Sequence, residues 1–339
     1  MSNTLTSTRL ATQRTCHKKH YFRYELGLSR VRSFDALRIG GAFHLGMESG
    51  NVDTIIDYYT NMPDWADHYD WAIERETVAQ LLLGHFWRYE NDDVTLIEAE
   101  QVFRSLKIVN PHTGRTNRTF TLGGKIDAIV RLADLRLAVR EYKTCGEDIG
   151  PDSDYWLRLR CDAQISLYFL AAQQLGYDVS TVLYDVTRKP TISPYRATPI
   201  DKRKYTKENK LYANQREADE TPAEFGARLH DDIRSRPDFY YQRREIPRLQ
   251  DELDTFQIEL WQQADQIREA RRHNRWFRNV GPFTCGHCEF AQICLNNVRV
   301  EPGMVPSGFE IIKNVHPELG DELDDSNNGP TETSERFAD

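Results

Sequence analysis

Two carboxylates and a lysine stand near the middle of the 339-residue sequence: Asp127 in GGKIDAIV, and Glu141 and Lys143 in LAVREYKT. Glu141 and Lys143 are two apart in a strand-like run, so their side chains share a face. If the turn between the two runs centres on Asp134, Asp127 sits directly opposite Glu141, with Cβ atoms about 4.5–5.5 Å apart. Carboxylates that close repel unless a cation lies between them. A hard divalent ion such as Mg²⁺ is held by one or two carboxylates plus water and substrate phosphate. A lysine beside it can orient the attacking water and stabilise charge developing at phosphorus. A Glu-x-Lys pair alone is common on surface hairpins. The Asp register is what points to phosphodiester chemistry.

A second constellation is made of thiols. Cys285, Cys288 and Cys294 give C-x2-C-x5-C, and Cys16 stands 269 positions before the first of them. Thiolates at this spacing take a soft metal, either zinc or an iron–sulfur cluster. Cys16 supplies the fourth ligand that three leave open; for zinc, His287, His17 or His20 are alternatives. Cys145 and Cys161 have no partner spacing and read as ordinary buried thiols.

The run GGKIDAIV followed by AVREYKT resembles the core motif of the PD-(D/E)XK nuclease superfamily, and of its RecB-like branch in particular. Ile126 stands where the usual proline would be. His44 in GGAFHLGMESG matches the upstream histidine that the branch uses as a metal ligand. Gln164 and Tyr168 in DAQISLYFL match its Q-x-x-x-Y motif, and residues four apart on a helix share a face. The split thiol set is similar to that of the AddB nuclease domain and of CRISPR-associated RecB-type exonucleases, over residues 16–294.

This resemblance implies an α/β, restriction-endonuclease-like fold with a central mixed sheet flanked by helices. It implies Mg²⁺ or Mn²⁺ on His44, Asp127 and Glu141, with Lys143 at the attacking water. It implies DNA contacts from Gln164 and Tyr168, the tyrosine stacking on a base or touching phosphate. It also implies a [4Fe–4S] cluster on Cys16, Cys285, Cys288 and Cys294 that joins the two chain ends, with structural Zn²⁺ as the alternative. The expected activity is DNA hydrolysis, exonucleolytic on single strands or ends, in recombination, repair or CRISPR adaptation. The competing expectation is an iron–sulfur DNA-binding scaffold with weak or no catalysis. Glu100 is an auxiliary candidate beside Asp127.

The surrounding sequence must position these groups. Residues 35–90 read as helical, with amphipathic spacing in DTIIDYYTNM and ERETVAQLLLGHFWRY. Strand patterns follow at 94–109, at FTLGGKIDAIVRL and at LRLAVREYKT, with the turn-like NPHTGRTN after the first. Residues 154–175 read as one helix closed by Gly176, and VSTVLYDVTRKP as a strand closed by Pro190. Residues 221–236 and 250–275 are helical, the former opened by a Thr221–Glu224 capping box. The expected organisation is one nuclease domain over 1–314, with a helical insertion near 35–90 and an acidic, disordered tail at 315–339.

Charge fits that plan. The net charge is −8, but residues 315–339 hold eight acids against Arg336 alone, leaving the rest near neutral. Residues 188–210 carry eight bases, with Tyr195 and Tyr205 interleaved. Such a stretch suits a nucleic-acid backbone, and Lys189, Arg203 and Lys204 are its candidate DNA contacts. No long apolar run or secretory leader is seen, so a cytoplasmic protein with no membrane partner is expected. No G-x-x-x-x-G-K-[ST] phosphate loop is present, so any helicase motor, like any recombination or adaptation partner, belongs to another chain.

Overall fold

The computed structural model describes residues 2–31, 35–301 and 304–320, with no side-chain description at 35–37. Eight strands run in chain order as β1 Thr4–Leu5, β2 Leu28–Arg30, β3 Thr95–Val109, β4 Thr116–Arg131, β5 Leu137–Cys145, β6 Val179–Arg188, β7 Tyr241–Ile246 and β8 Phe309–Ile311. The helices are α1 Ser7–Thr15, α2 His17–His20, α3 Asp35–Ser49, α4 Asp53–Thr60, α5 His68–Arg88, α6 Asp154–Arg158 and α7 Ala163–Gln174. They continue with α8 Pro222–Ser235, α9 Pro237–Tyr240, α10 Gln250–His273, α11 Pro282–Gly286 and α12 Ala291–Leu295. The chain folds as two compact units, one of residues 1–29, 102–125 and 261–339, the other of residues 30–101 and 126–260.

The second unit holds the centre of a mixed sheet. β4 pairs antiparallel with β5, β5 parallel with β6, and β6 antiparallel with β7. The β4–β5 ladder pairs Ala128 with Arg140 and Arg131 with Leu137, the register in which Asp127 faces Glu141 one step further on. Leu132 and Arg136 close the hairpin, and Leu135 takes a φ of +71°. α3, α4, α5 and α8 bury a common apolar seam of Phe43, Ile55, Tyr59, Trp71, Val78, Leu82, Phe225, Leu229 and Ile233. Burying side chains of this size stabilises by about 1.5–3 kcal/mol each before entropy is counted. The capping box at α8 forms in both directions: the Glu224 N–H donates to Thr221 Oγ1, and the Thr221 N–H donates to Glu224 Oε2 at 2.8 Å.

The helix read at 154–175 is broken. α6 ends in a short 3-10 turn, Asp162 takes an extended conformation, and its carboxylate accepts the N–H groups of Gln164 and Ile165 to start α7. Asp satisfies free N-terminal donors better as a cap than it serves inside a helix. Gly176 ends α7 with φ +92°.

In the first unit, β1 pairs parallel with β4 at Thr4–Thr121 and Leu5–Leu122. The Gly123–Gly124 pair is explained by packing. A Cβ on Gly123 would lie 2.4 Å from the Thr4 methyl, and one on Gly124 would lie 2.5 Å from the Phe103 ring. Residues 2–30 hold α1, α2 and a π-helical turn, Tyr21–Glu25, with short strands at either side. Buried Arg9 is held by Glu25, which also pairs with Arg271. The acidic stretch from residue 321 onward lies outside the described residues. No described helix is long and apolar enough to cross a membrane.

Candidate active site and thiol cluster

β5 places Glu141 and Lys143 on one face, and the Lys143 ammonium pairs with Glu141 Oε1. Glu141 is 1% exposed, and among the described residues its Oε2 has no hydrogen-bond partner. Burial, and then the charge of Asp127, push its carboxyl up to about 7. Asp127 is placed differently. Its Oδ2 accepts the Tyr142 N–H at 2.9 Å and lies 3.5 Å from His44 Nδ1 on α3. Burial alone would raise its pKa, but His44, Lys143 and that N–H hold it below the ordinary value. His44 responds in the opposite sense: burial opposes protonation, yet Asp127 and Glu141 raise its pKa. Two carboxylates of unlike proton affinity thus face the His44 imidazole and the Lys143 ammonium.

α7 contributes Gln164 and Tyr168. The Gln164 amide donates to the Tyr168 hydroxyl at 2.6 Å. Burial and the charges of Glu141 and Asp127 push the Tyr168 hydroxyl well up. Tyr168, expected to stack on a base or touch phosphate, is buried at 5% exposure. Glu100 is half-buried on β3 with φ +52°, and it is not among the principal charges acting on Asp127 or Glu141.

Behind this face lies a group that the sequence reading missed. Asp185 on β6 pairs in register with Tyr142 and is fully enclosed. It accepts from Arg140 at 2.9 Å and from Arg243 at 2.7 Å, and lies 3.1 Å from His85 Nε2. Burial would raise its pKa; His85 and the two arginines hold it far below the carboxylate range instead. Arg243 also stacks on Tyr89 with its carbon 3.7 Å from the ring centre. The available signal was an acid inside an otherwise apolar strand, VLYDV.

The basic segment is less free than its composition suggests. Arg203 spends its guanidinium on the carbonyls of Thr198 and Glu217, and Arg196 pairs with Asp70 and Asp219. Lys189 is half-buried, while Lys204 and the lysines at 202, 207 and 210 are exposed beside Tyr205.

In the first unit, Cys16, Cys285, Cys288 and Cys294 line one small cavity, and none forms a disulfide. Cys16 sits between α1 and α2, and the Asn279 N–H points at its sulfur at 3.4 Å. Arg278 Nε points at the Cys294 sulfur at 3.4 Å. Phe22, Leu28, Phe290 and Ile293 pack around Cys288 and Cys294. Donors aimed at sulfur in an apolar shell suit thiolates that carry charge. Cys145 and Cys161 depart from the expectation of burial: the first is half-buried and the second exposed. Among the described residues, no three His, Cys, Asp or Glu side chains are arranged to enclose a metal ion as they stand.

Comparison with known proteins adds the family. No curated protein matches the sequence. The crystal structure of SSO0001 overlaps 88% of this chain and 89% of its own, at 12% identity and a TM-score of 0.34. The family model of the PD-(D/E)XK nuclease superfamily matches residues 4–295. With a mixed sheet flanked by helices and a match over nearly its whole length, the chain belongs to the PD-(D/E)XK nuclease superfamily.

Proposed function

We propose that this protein is a metal-dependent deoxyribonuclease of the RecB-like branch, acting as an exonuclease on single strands or DNA ends. The observation that carries the reading is the buried pair of Asp127 and Glu141, with its unpartnered Glu141 Oε2 and Lys143 at the same carboxylate. An unsatisfied buried carboxylate oxygen is costly, and a cation relieves it. His44, Asp127 and Glu141 fit Mg²⁺ or Mn²⁺ by donor chemistry. When bound, such an ion supplies Lewis-acid polarisation of the scissile phosphate.

The chain's own groups divide the remaining work. The Tyr142 N–H fixes the Asp127 carboxylate. Lys143 leaves Glu141 to orient the attacking water and to offset charge growing at phosphorus. Gln164 and Tyr168 hold the Glu141 side from α7. Exposed Lys204 and its neighbouring lysines attract the backbone, whereas Arg203 shapes the loop that carries them.

The four cysteines fit a [4Fe–4S] cluster better than zinc, on the strength of the resemblance and of the sulfur-directed donors at Asn279 and Arg278. The cluster ties Cys16 to the 285–294 segment, and its binding free energy becomes folding free energy. This assignment places the enzyme in recombination, repair or CRISPR adaptation, alongside a separate motor or adaptation protein.

Digestion of linear and circular single-stranded DNA with Mn²⁺, using anaerobically purified protein, tests the activity. Linear DNA is expected to be degraded and circular DNA spared. Lys143→Ala is expected to lower the rate by at least about a hundredfold without changing the circular dichroism spectrum or iron content. Unchanged digestion by that variant would sink the assignment. One observation favours the second reading, a DNA-binding scaffold: each carboxylate already has a basic side chain beside it, His44 at Asp127 and Lys143 at Glu141. DNA binding with no cleavage under any divalent ion would establish it.

A further inference from the structure

The first unit carries a cleft that the nuclease chemistry does not use. It has a volume of about 740 Å³ and is lined by Arg115, Thr116, Asn117, Arg118, Trp261 and Arg268. That volume is in the range of sites for one or two nucleotides. The first four residues come from the tip of the β3–β4 hairpin, and the last two from α10. No carboxylate lines the cleft. Arg115 and Arg118 are exposed, and among the described residues neither forms an ion pair. Arg268 is partly offset by Asp265 at 2.9 Å.

Asn117 adds an independent observation. It is 6% exposed, and its Oδ1 accepts the N–H groups of Thr119 and Phe120, both at 2.9 Å. Its Nδ2 is buried with no acceptor. Leaving such a donor unpaired costs about 1–3 kcal/mol. That atom is closed off from solvent, so Asn117 fixes the hairpin tip that carries Arg115 and Arg118 rather than reaching a ligand itself.

We propose that this cleft is a second binding site for the DNA strand, taking its phosphates on Arg115 and Arg118 and a base on Trp261. It rests on the nuclease reading for the class of its ligand. Three guanidiniums match phosphate geometry, and a partly exposed indole in the same cleft matches the sequence-tolerant stacking of single strands. An acidic peptide would use the arginines and leave Trp261 idle. The site lies outside the acidic constellation and in residues to which no chemistry has been assigned. It therefore contributes affinity rather than cleavage.

The test uses the full-length protein in EDTA, so that nothing is cut, with a fluorescent single-stranded oligonucleotide titrated across a salt series. An Arg115→Ala, Arg118→Ala variant is expected to bind about tenfold more weakly. Its slope of log K against log salt should fall by about 1.4, the release expected for two single-strand phosphates. Trp261→Phe should remove most of the DNA-induced change in tryptophan fluorescence while keeping the melting temperature, and should weaken binding about tenfold. Lys204→Ala serves as a comparison outside the cleft. Unchanged affinity and slope in the double arginine variant, with DNA still bound and cut, would overturn the cleft alone. Polyglutamate displacing DNA with no Trp261 signal would assign the cleft to acidic peptides and overturn it too. Absence of any DNA binding by the unaltered protein would remove both the cleft and the nuclease reading.

Discussion

Glu141 meets two opposed demands. A metal ligand must be ionised, yet this carboxyl is buried and pushed up to about 7 beside Asp127. Its folded pKa therefore exceeds its unfolded one. The folded state binds more protons in the window from about 4.5 to 7, and metal-free stability falls as pH rises through it. Glu141→Gln removes that dependence. In EDTA, the melting temperature of the unaltered protein relative to the variant should decline between pH 5 and 8; a flat or rising difference contradicts the shift. The same variant should lose cleavage, an exchange of stability for function. Asp185 is the contrasting residue. It is ionised by its partners, so Asp185→Asn leaves Arg140 without its counter-charge and Arg243 with Asp92 alone. A loss of about 3–5 kcal/mol is expected from denaturant melts. The sequence disclosed Asp127, Glu141 and Lys143 because their spacing follows a strand's period. It did not disclose Asp185, whose partners come from α5, β5 and β7 and share no local period.

At the scale of elements, α7 owes its start to one side chain. Asp162 interrupts what the apolar pattern presented as a single helix, and that break sets where Gln164 and Tyr168 stand along the sheet. Asp162→Ala should cost about 1 kcal/mol in a denaturant melt, and it should lower the cleavage rate more than it weakens DNA binding. Equal losses in both would show that the cap does not position the helix. The hairpin register was readable from the turn at Asp134, and the α8 capping box from Thr221 and Glu224, because both are local rules. Strands β1, β2, β7 and β8 were not. They are two to six residues long, too short for alternation to show, and they exist through pairing with distant segments. The glycines before Asp127 were legible as a motif, but their reason, close approach by Thr4 and Phe103, needed the tertiary structure.

At the scale of the whole molecule, the first unit is assembled from three separated stretches of chain. The proposed cluster lies within it, so removing a ligand should act on folding first. Cys285→Ser should lower both iron content and melting temperature, measured anaerobically, whereas Cys161→Ser, at an exposed position, should change neither. Equal melting temperatures for the two variants would leave the cysteines without a structural role. Charge alone concealed the cationic features, since the acidic end of the sequence cancels them in the total.

The distance along the chain between Cys16 and its three partners also has a consequence in time. Translation proceeds at about 5–20 residues per second, so Cys16 leaves the ribosome tens of seconds before Cys285 exists. Through that interval its thiol has no companion, and the first unit has no means of closing. Every residue of the acidic constellation, from His44 to Tyr168, is meanwhile already made. A chain stalled before Cys285 would carry the proposed cutting residues without the proposed cluster. If the proposed cluster forms, birth order makes the C-terminal cysteines its last ligands to arrive.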